Sequence, residues 1–143
     1  MHASNVGLHR IVYVSRASSD VTAFDVHGLA GWSSAWNEHN GVTGMLLYDG
    51  GRFLQAIEGV PPVIFPLMER IRADSRHSGI ELAESLTVTD RLFHGWSMRF
   101  RHLGEEPSNM RFLDEVKKAV KAVEDPRVQA LFIGFAAIGT RRA

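Results

Sequence analysis

Strand-length runs of β-branched and apolar residues alternate along the chain with stretches whose apolar residues recur at helical spacing. Leu8–Ser15 is rich in β-branched residues and predicts a strand. Ser18, Ser19 and Asp20 then offer an N-cap cluster. Val21, Phe24, Leu29, Trp32 and Trp36 follow near helical spacing and predict a helix over Val21–Asn37, which Gly28 and Gly31 weaken. Val42–Tyr48 and Arg52–Glu58 flank Asp49-Gly50-Gly51, a hairpin signature. Pro61 and Pro62 can open a helix, because first-turn N–H groups have no helical partner anyway. Val63, Leu67, Met68 and Ile71 form its apolar stripe. Pro66 fits that helix only if it starts late, near Pro62 or Val63.

Ile80–Thr89 and Trp96–Arg101 predict two further strands. Asn109–Glu124 carries Met110, Leu113, Val116, Val120 and Val123 on one stripe with Lys and Asp opposite, so it predicts a surface helix. Pro126 breaks it. The first six elements of the order β-α-β-β-α-β-β-α-α match an α+β, ferredoxin-like arrangement with two helices on one face of the sheet. The C-terminal helices, having stripes of their own to bury, are expected on the other face. The last of them, Val128–Ile138, is more apolar than a one-sided helix requires. Phe132, Phe135 and Ile138 cannot share a narrow stripe with Val128, Leu131 and Ala136, so contact with a second subunit or a partner is expected.

At 143 residues the chain suits one domain. Lys+Arg and Asp+Glu are 16 each, which argues against a strongly basic nucleic-acid footprint, though not against a local patch. The chain has no cysteine, which excludes disulfides, thiolate nucleophiles and Cys-ligated zinc and fits a cytoplasmic protein. Met1–Gly7 has no signal-peptide core, and Ala130–Thr140 is too short to span a membrane. No G-x-G-x-x-G follows a strand, and no P-loop, H-E-x-x-H or nucleophile elbow occurs. A hydrolase or NTPase is therefore disfavoured, and the chain is not expected to be an enzyme.

Four residues stand where a sheet would take plain apolar ones: Tyr13, Gln55, Trp96 and Met98. Strand alternation puts Trp96 and Met98 on one face. It puts Gln55 with Phe53 and Ile57, where a buried carboxamide without partners costs about 1–3 kcal/mol. The pattern alone favours a Gln55 that faces solvent or bonds a neighbouring loop, since glutamine is common at surfaces. Asp74, Arg76 and His77 read as charges at a helix end, and Trp32 and Trp36 as packing residues.

LHRIVYVSR (Leu8–Arg16), NGVTGMLLYDGGRFLQAIEG (Asn40–Gly59), RIRADSRH (Arg70–His77) and RLFHGWSMRF (Arg91–Phe100) stand in an order and spacing that resemble the BLUF family, blue-light sensors that use FAD. The resemblance covers about residues 8–101. It implies a photosensor domain over 1–102, with 103–143 as a helical extension of the same domain. It implies non-covalent FAD and a photochemical switch made by Tyr13, Gln55, Trp96 and Met98. The implied flavin contacts are Tyr13, Asn37, Gln55, Arg70, Asp74 and His77. Asn37 precedes the Thr43-Gly44 pair at the family's spacing; Asn40 is the competing choice. Pro66 and Trp36 depart from the family's pattern. Too little chain follows Phe100 for a typical catalytic domain, so signal is expected to leave through a surface, to a homo-oligomer (at least a dimer) or an unidentified protein partner. The rivals are a light-blind ferredoxin-like interaction module and a small acylphosphatase-like hydrolase.

Overall fold

The computed structural model describes residues 7–103 and 109–142. Met1 to Val6 thus lie outside the described residues, as does the side chain of Met110. The elements are β1 (Leu8–Ala17), α1 (Ala23–His39), β2 (Thr43–Tyr48), β3 (Arg52–Gly59), α2 (Pro61–Ala73), β4 (His77–Val88), β5 (Arg99–His102), α3 (Asn109–Val120) and α4 (Pro126–Arg142). No helix among the described residues is long and apolar enough to cross a membrane.

The sheet order is β4-β1-β3-β2-β5. β1 pairs antiparallel with β3 and β4, β3 antiparallel with β2, and β5 joins parallel to β2. The first four strands thus form the ferredoxin-like sheet expected from the pattern. Gly44 makes the β2–β3 pairing possible: a Cβ there would lie 2.1 Å from the Ala56 carbonyl oxygen. In the β2–β3 turn, Asp49 Oδ1 accepts the N–H groups of Gly51 and Arg52.

Alternation along the central strands separates two layers. Val12, Met45, Leu47, Leu54 and Ala56 face α3 and α4 and bury Phe112, Val116, Val128 and Phe132. On the other face Ile11, Tyr13 and Ile57 meet Ile64 and Met68 of α2, while Leu46, Tyr48 and Phe53 meet Val26 of α1.

Several expectations are corrected. α1 begins at Ala23, and its N-cap is Thr22 in a capping box with Asp25, not the Ser18–Asp20 cluster. Its buried residues are Val26, Ala30 and Asn37, whereas Phe24 and Trp32 are exposed. The predicted stripe fails because α1 meets the sheet through small side chains. α2 starts at Pro61 and keeps Pro66 inside it. α3 ends at Val120, before the expected Glu124, and Pro126 opens α4 as a first-turn residue. Phe132 and Phe135 are both buried within this one chain. The apolar excess of α4 is therefore used internally and does not require a second subunit.

Candidate functional site

A cleft opens between α1 and α2 above the sheet, lined by apolar Leu29, Leu46, Phe53, Ile57, Leu67 and Ile71. Its empty space, counting the part that opens to solvent, is about 850 Å³. Into this apolar frame point Tyr13, Asn37, Gln55, Arg70, Asp74, Arg76 and His77.

Tyr13 and Gln55 meet because β1 and β3 pair in a register that sets them directly opposite. The Tyr13 hydroxyl donates to Gln55 Oε1 at 2.5 Å, and Gln55 Nε2 lies 3.8 Å from Met98 Sδ. Both side chains are buried. Burial pushes the Tyr13 phenol well above its ordinary pKa, and the Asp74 carboxylate adds to the rise. The phenol therefore stays protonated through the physiological range and keeps donating to Gln55 Oε1.

Asn37, in the last turn of α1, is 3% exposed. Its Nδ2 donates to the Ser97 carbonyl at 2.7 Å, and its backbone carbonyl accepts Val42 N–H at 2.8 Å. Asn40 caps the helix, with Nδ2 donating to the Trp36 carbonyl, and does not line the cleft. His77 Nε2 donates to the Ile71 carbonyl at 2.6 Å, so its Nδ1 in the neutral ring accepts the Ser15 hydroxyl at 2.7 Å. The Arg70 guanidinium lies 4.6 Å from the ring centre of Trp36 and bridges α2 to α1. Asp74 binds Arg76 through both Nε and Nη2, and these hydrogen bonds hold its carboxyl below its ordinary pKa.

Trp96 is not brought to this cleft. Gly95 has φ +73, and residues 96–98 lie outside β5, which begins at Arg99. Strand alternation therefore does not govern them, and the two side chains part. Met98 packs against the cluster of Leu46, Tyr48 and Phe53 on the cleft face, while Trp96 packs against the cluster of the α4 face, its ring centre 6.1 Å from that of Phe93. The Trp96 carbonyl accepts the Gly44 N–H at 2.9 Å, which ties this crossing segment to β2.

The motif reading missed the groups that hold the segment. Glu58 is fully buried. Its carboxylate accepts the N–H groups of Leu92 and Phe93, the Thr43 hydroxyl and Arg10 Nη1. Arg10 also binds Glu84, at 2.6 Å. The signal was available: Arg10 and Glu58 both fall on a phase otherwise filled by Val12, Leu54 and Ala56. Ser34 and Ser97, 2.7 Å apart through their hydroxyls, had no such signal.

The site's residue types suit a flavin. A carboxamide offers donor and acceptor to an edge that alternates them, and the flanking walls are apolar, as a tricyclic ring requires. Comparison with known proteins agrees. Residues 8–99 match the family described as BLUF, sensors of blue-light using FAD. The BLUF protein BlrB in its dark state superposes with a TM-score of 0.71 at 30% identity, covering 94% of this chain and 98% of that one. BlrP1 of Klebsiella pneumoniae, solved with FMN and cyclic diGMP, gives a TM-score of 0.78 at 27% identity, covering 94% of this chain and 36% of that one. The photoactivated adenylate cyclase subunit alpha of Euglena gracilis is 29% identical over 83 residues, 58% of this chain but only 8% of that protein.

Proposed function

The chain belongs to the BLUF family of blue-light sensors, and on that footing we propose that it is a photoreceptor that binds FAD non-covalently and signals by rearranging the Tyr13–Gln55–Met98 contacts. The observation that carries this reading is the buried Tyr13–Gln55 hydrogen bond at the floor of an apolar cleft that also receives Asn37. A flavin bound there supplies blue-light absorption and, once excited, oxidising power.

The protein's own groups then do the rest. Tyr13 holds a phenolic proton in a desolvated site and can release an electron and that proton together, since the bare phenolate is disfavoured by burial. Gln55 accepts from Tyr13 through Oε1 and presents Nε2 toward Met98. Exchanging its amide N and O, by rotation or tautomerism, reverses which neighbours it donates to. Met98 would feel that change directly. Two residues away Trp96 packs on α4, so the 96–98 segment is the route from the cleft face to the opposite face. Cytoplasmic location, release of the signal to a partner protein and the absence of enzymatic turnover belong to the same proposal.

The test is an absorption spectrum of the purified protein in darkness and under blue light. We expect a yellow protein with a small, reversible red shift. Gln55→Leu and Tyr13→Phe should retain flavin and lose the normal shift. An unaltered photocycle in either variant would remove that residue from the mechanism.

A further inference from the structure

Ser97 stands between Trp96 and Met98, whose side chains take opposite faces of the sheet. It is half-buried, and α1 grips it twice. Asn37 Nδ2 donates to its carbonyl at 2.7 Å, and the Ser34 and Ser97 hydroxyls lie 2.7 Å apart. Ser34 and Asn37 are three residues apart in α1, so one face of the helix makes both contacts. The Trp96 carbonyl, meanwhile, accepts the Gly44 N–H of β2. The segment is thus fixed at Trp96 by β2 and at Ser97 by α1, while Met98 Sδ lies 3.8 Å from Gln55 Nε2.

The two grips on Ser97 differ. Asn37 is buried and lines the cleft, whereas Ser34 is half-buried and lies outside the cleft lining. Each hydroxyl can exchange its partner for water at small net cost. The hydroxyl pair is therefore the contact that opens first when Met98 shifts, because the peptide before Met98 must turn with it. We infer that the Ser34–Ser97 pair is a latch that re-forms as Met98 returns to Gln55, so that these two positioning residues set the rate of dark recovery. This role rests on the photoreceptor reading and adds to it the residues that decide how long the light-altered state lasts.

The experiment follows the absorption of the flavin-bound chain as it returns in darkness after a blue-light pulse, for Ser34→Ala, Ser97→Ala, the double variant, Ser34→Thr and Ser97→Thr. Amide exchange at Gly44 is measured in darkness on the same proteins. Each alanine variant should slow the return roughly 2- to 12-fold, the range for one hydrogen bond exchanged for water. The double variant should return no more slowly than the slower single one, because both changes remove the same bond. The threonine variants keep a hydroxyl and should return near the unaltered rate. Exchange at Gly44 should quicken in the alanine variants, since its acceptor carbonyl directly precedes Ser97. Flavin binding should stay near the unaltered value, because neither serine lines the cleft. Unaltered or faster recovery in both alanine variants, or slowing that multiplies in the double variant, would overturn the latch while the photoreceptor reading stood. Slowing that both threonine variants share in full, or Gly44 exchange that neither alanine variant changes, would overturn it too. A flavin-bound chain without any light response would defeat the photoreceptor reading and the latch's timing role with it.

Discussion

Asn37 and Asn40 differ by three residues and by everything that surrounds them. Asn37 is buried on the cleft, whereas Asn40 caps α1 and bonds the Trp36 carbonyl. Asn37→Ala should weaken flavin binding roughly 5- to 150-fold, the loss of paired hydrogen bonds in a buried site being about 1–3 kcal/mol. Asn40→Ala should leave flavin binding near the unaltered value. Titration of both proteins with flavin checks this, and a greater loss at Asn40 would reject the register. Tyr13, Gln55, Arg70, Asp74 and His77 were legible from the four motifs and Asn37 from its spacing to Thr43, and the structure places all six on the cleft. Which side Trp96 takes was not legible, because alternation put it on one face with Met98 while residues 96–98 follow the Gly95 turn and precede β5.

The 91–98 segment carries the most consequence at the scale of elements, and it is held by one buried carboxylate. Glu58 joins β3 to the Leu92 and Phe93 amides and to Arg10 of β1, which reaches Asp125 before α4 at 3.8 Å. Glu58→Leu leaves two amides without their acceptor and removes one of Arg10's buried carboxylates. It should destabilise the fold by about 3–5 kcal/mol, as broken buried pairs do. Glu58→Gln, which keeps an acceptor oxygen, should cost less. Urea denaturation measures both, and a Glu58→Leu protein within 1 kcal/mol of the unaltered chain would refute the assignment. Pro66 belongs to this scale as well. It sits inside α2 without stopping it, because Ile64 and Met68 anchor the helix against the sheet from either side of the proline.

For the molecule as a whole, α3 and α4 are the second half of the core. Phe132 is fully buried against the sheet, while Ile138 is 43% exposed. Phe132→Ala should therefore cost about 3–5 kcal/mol in urea or thermal denaturation, and Ile138→Ala under 1 kcal/mol. Truncation after Asp125 should uncover Val12, Met45, Leu47 and Phe93 and yield an insoluble or unfolded chain. A soluble truncated protein with an intact light response would contradict this. Gly139 shows how closely α4 docks: a Cβ there would come within 2.9 Å of the Asp49 Cβ at the β2–β3 turn.

Periodicity by itself determined the order of strands and helices and the split of the sheet into two covered faces, because both follow from local spacing of apolar side chains. The motifs determined the family and the cleft residues. Tertiary structure decided which apolar residues are core. Phe24 and Trp32 obey helical spacing yet face outward, because Val26 and Ala30 let α1 lie on the sheet instead. Phe132 and Phe135 looked like interface residues yet face inward, because Arg52 and the sheet surround that side of α4. The buried Arg10–Glu58–Glu84 cluster was likewise decided by register, which brings together charges distant in sequence and satisfies each where none could be buried alone.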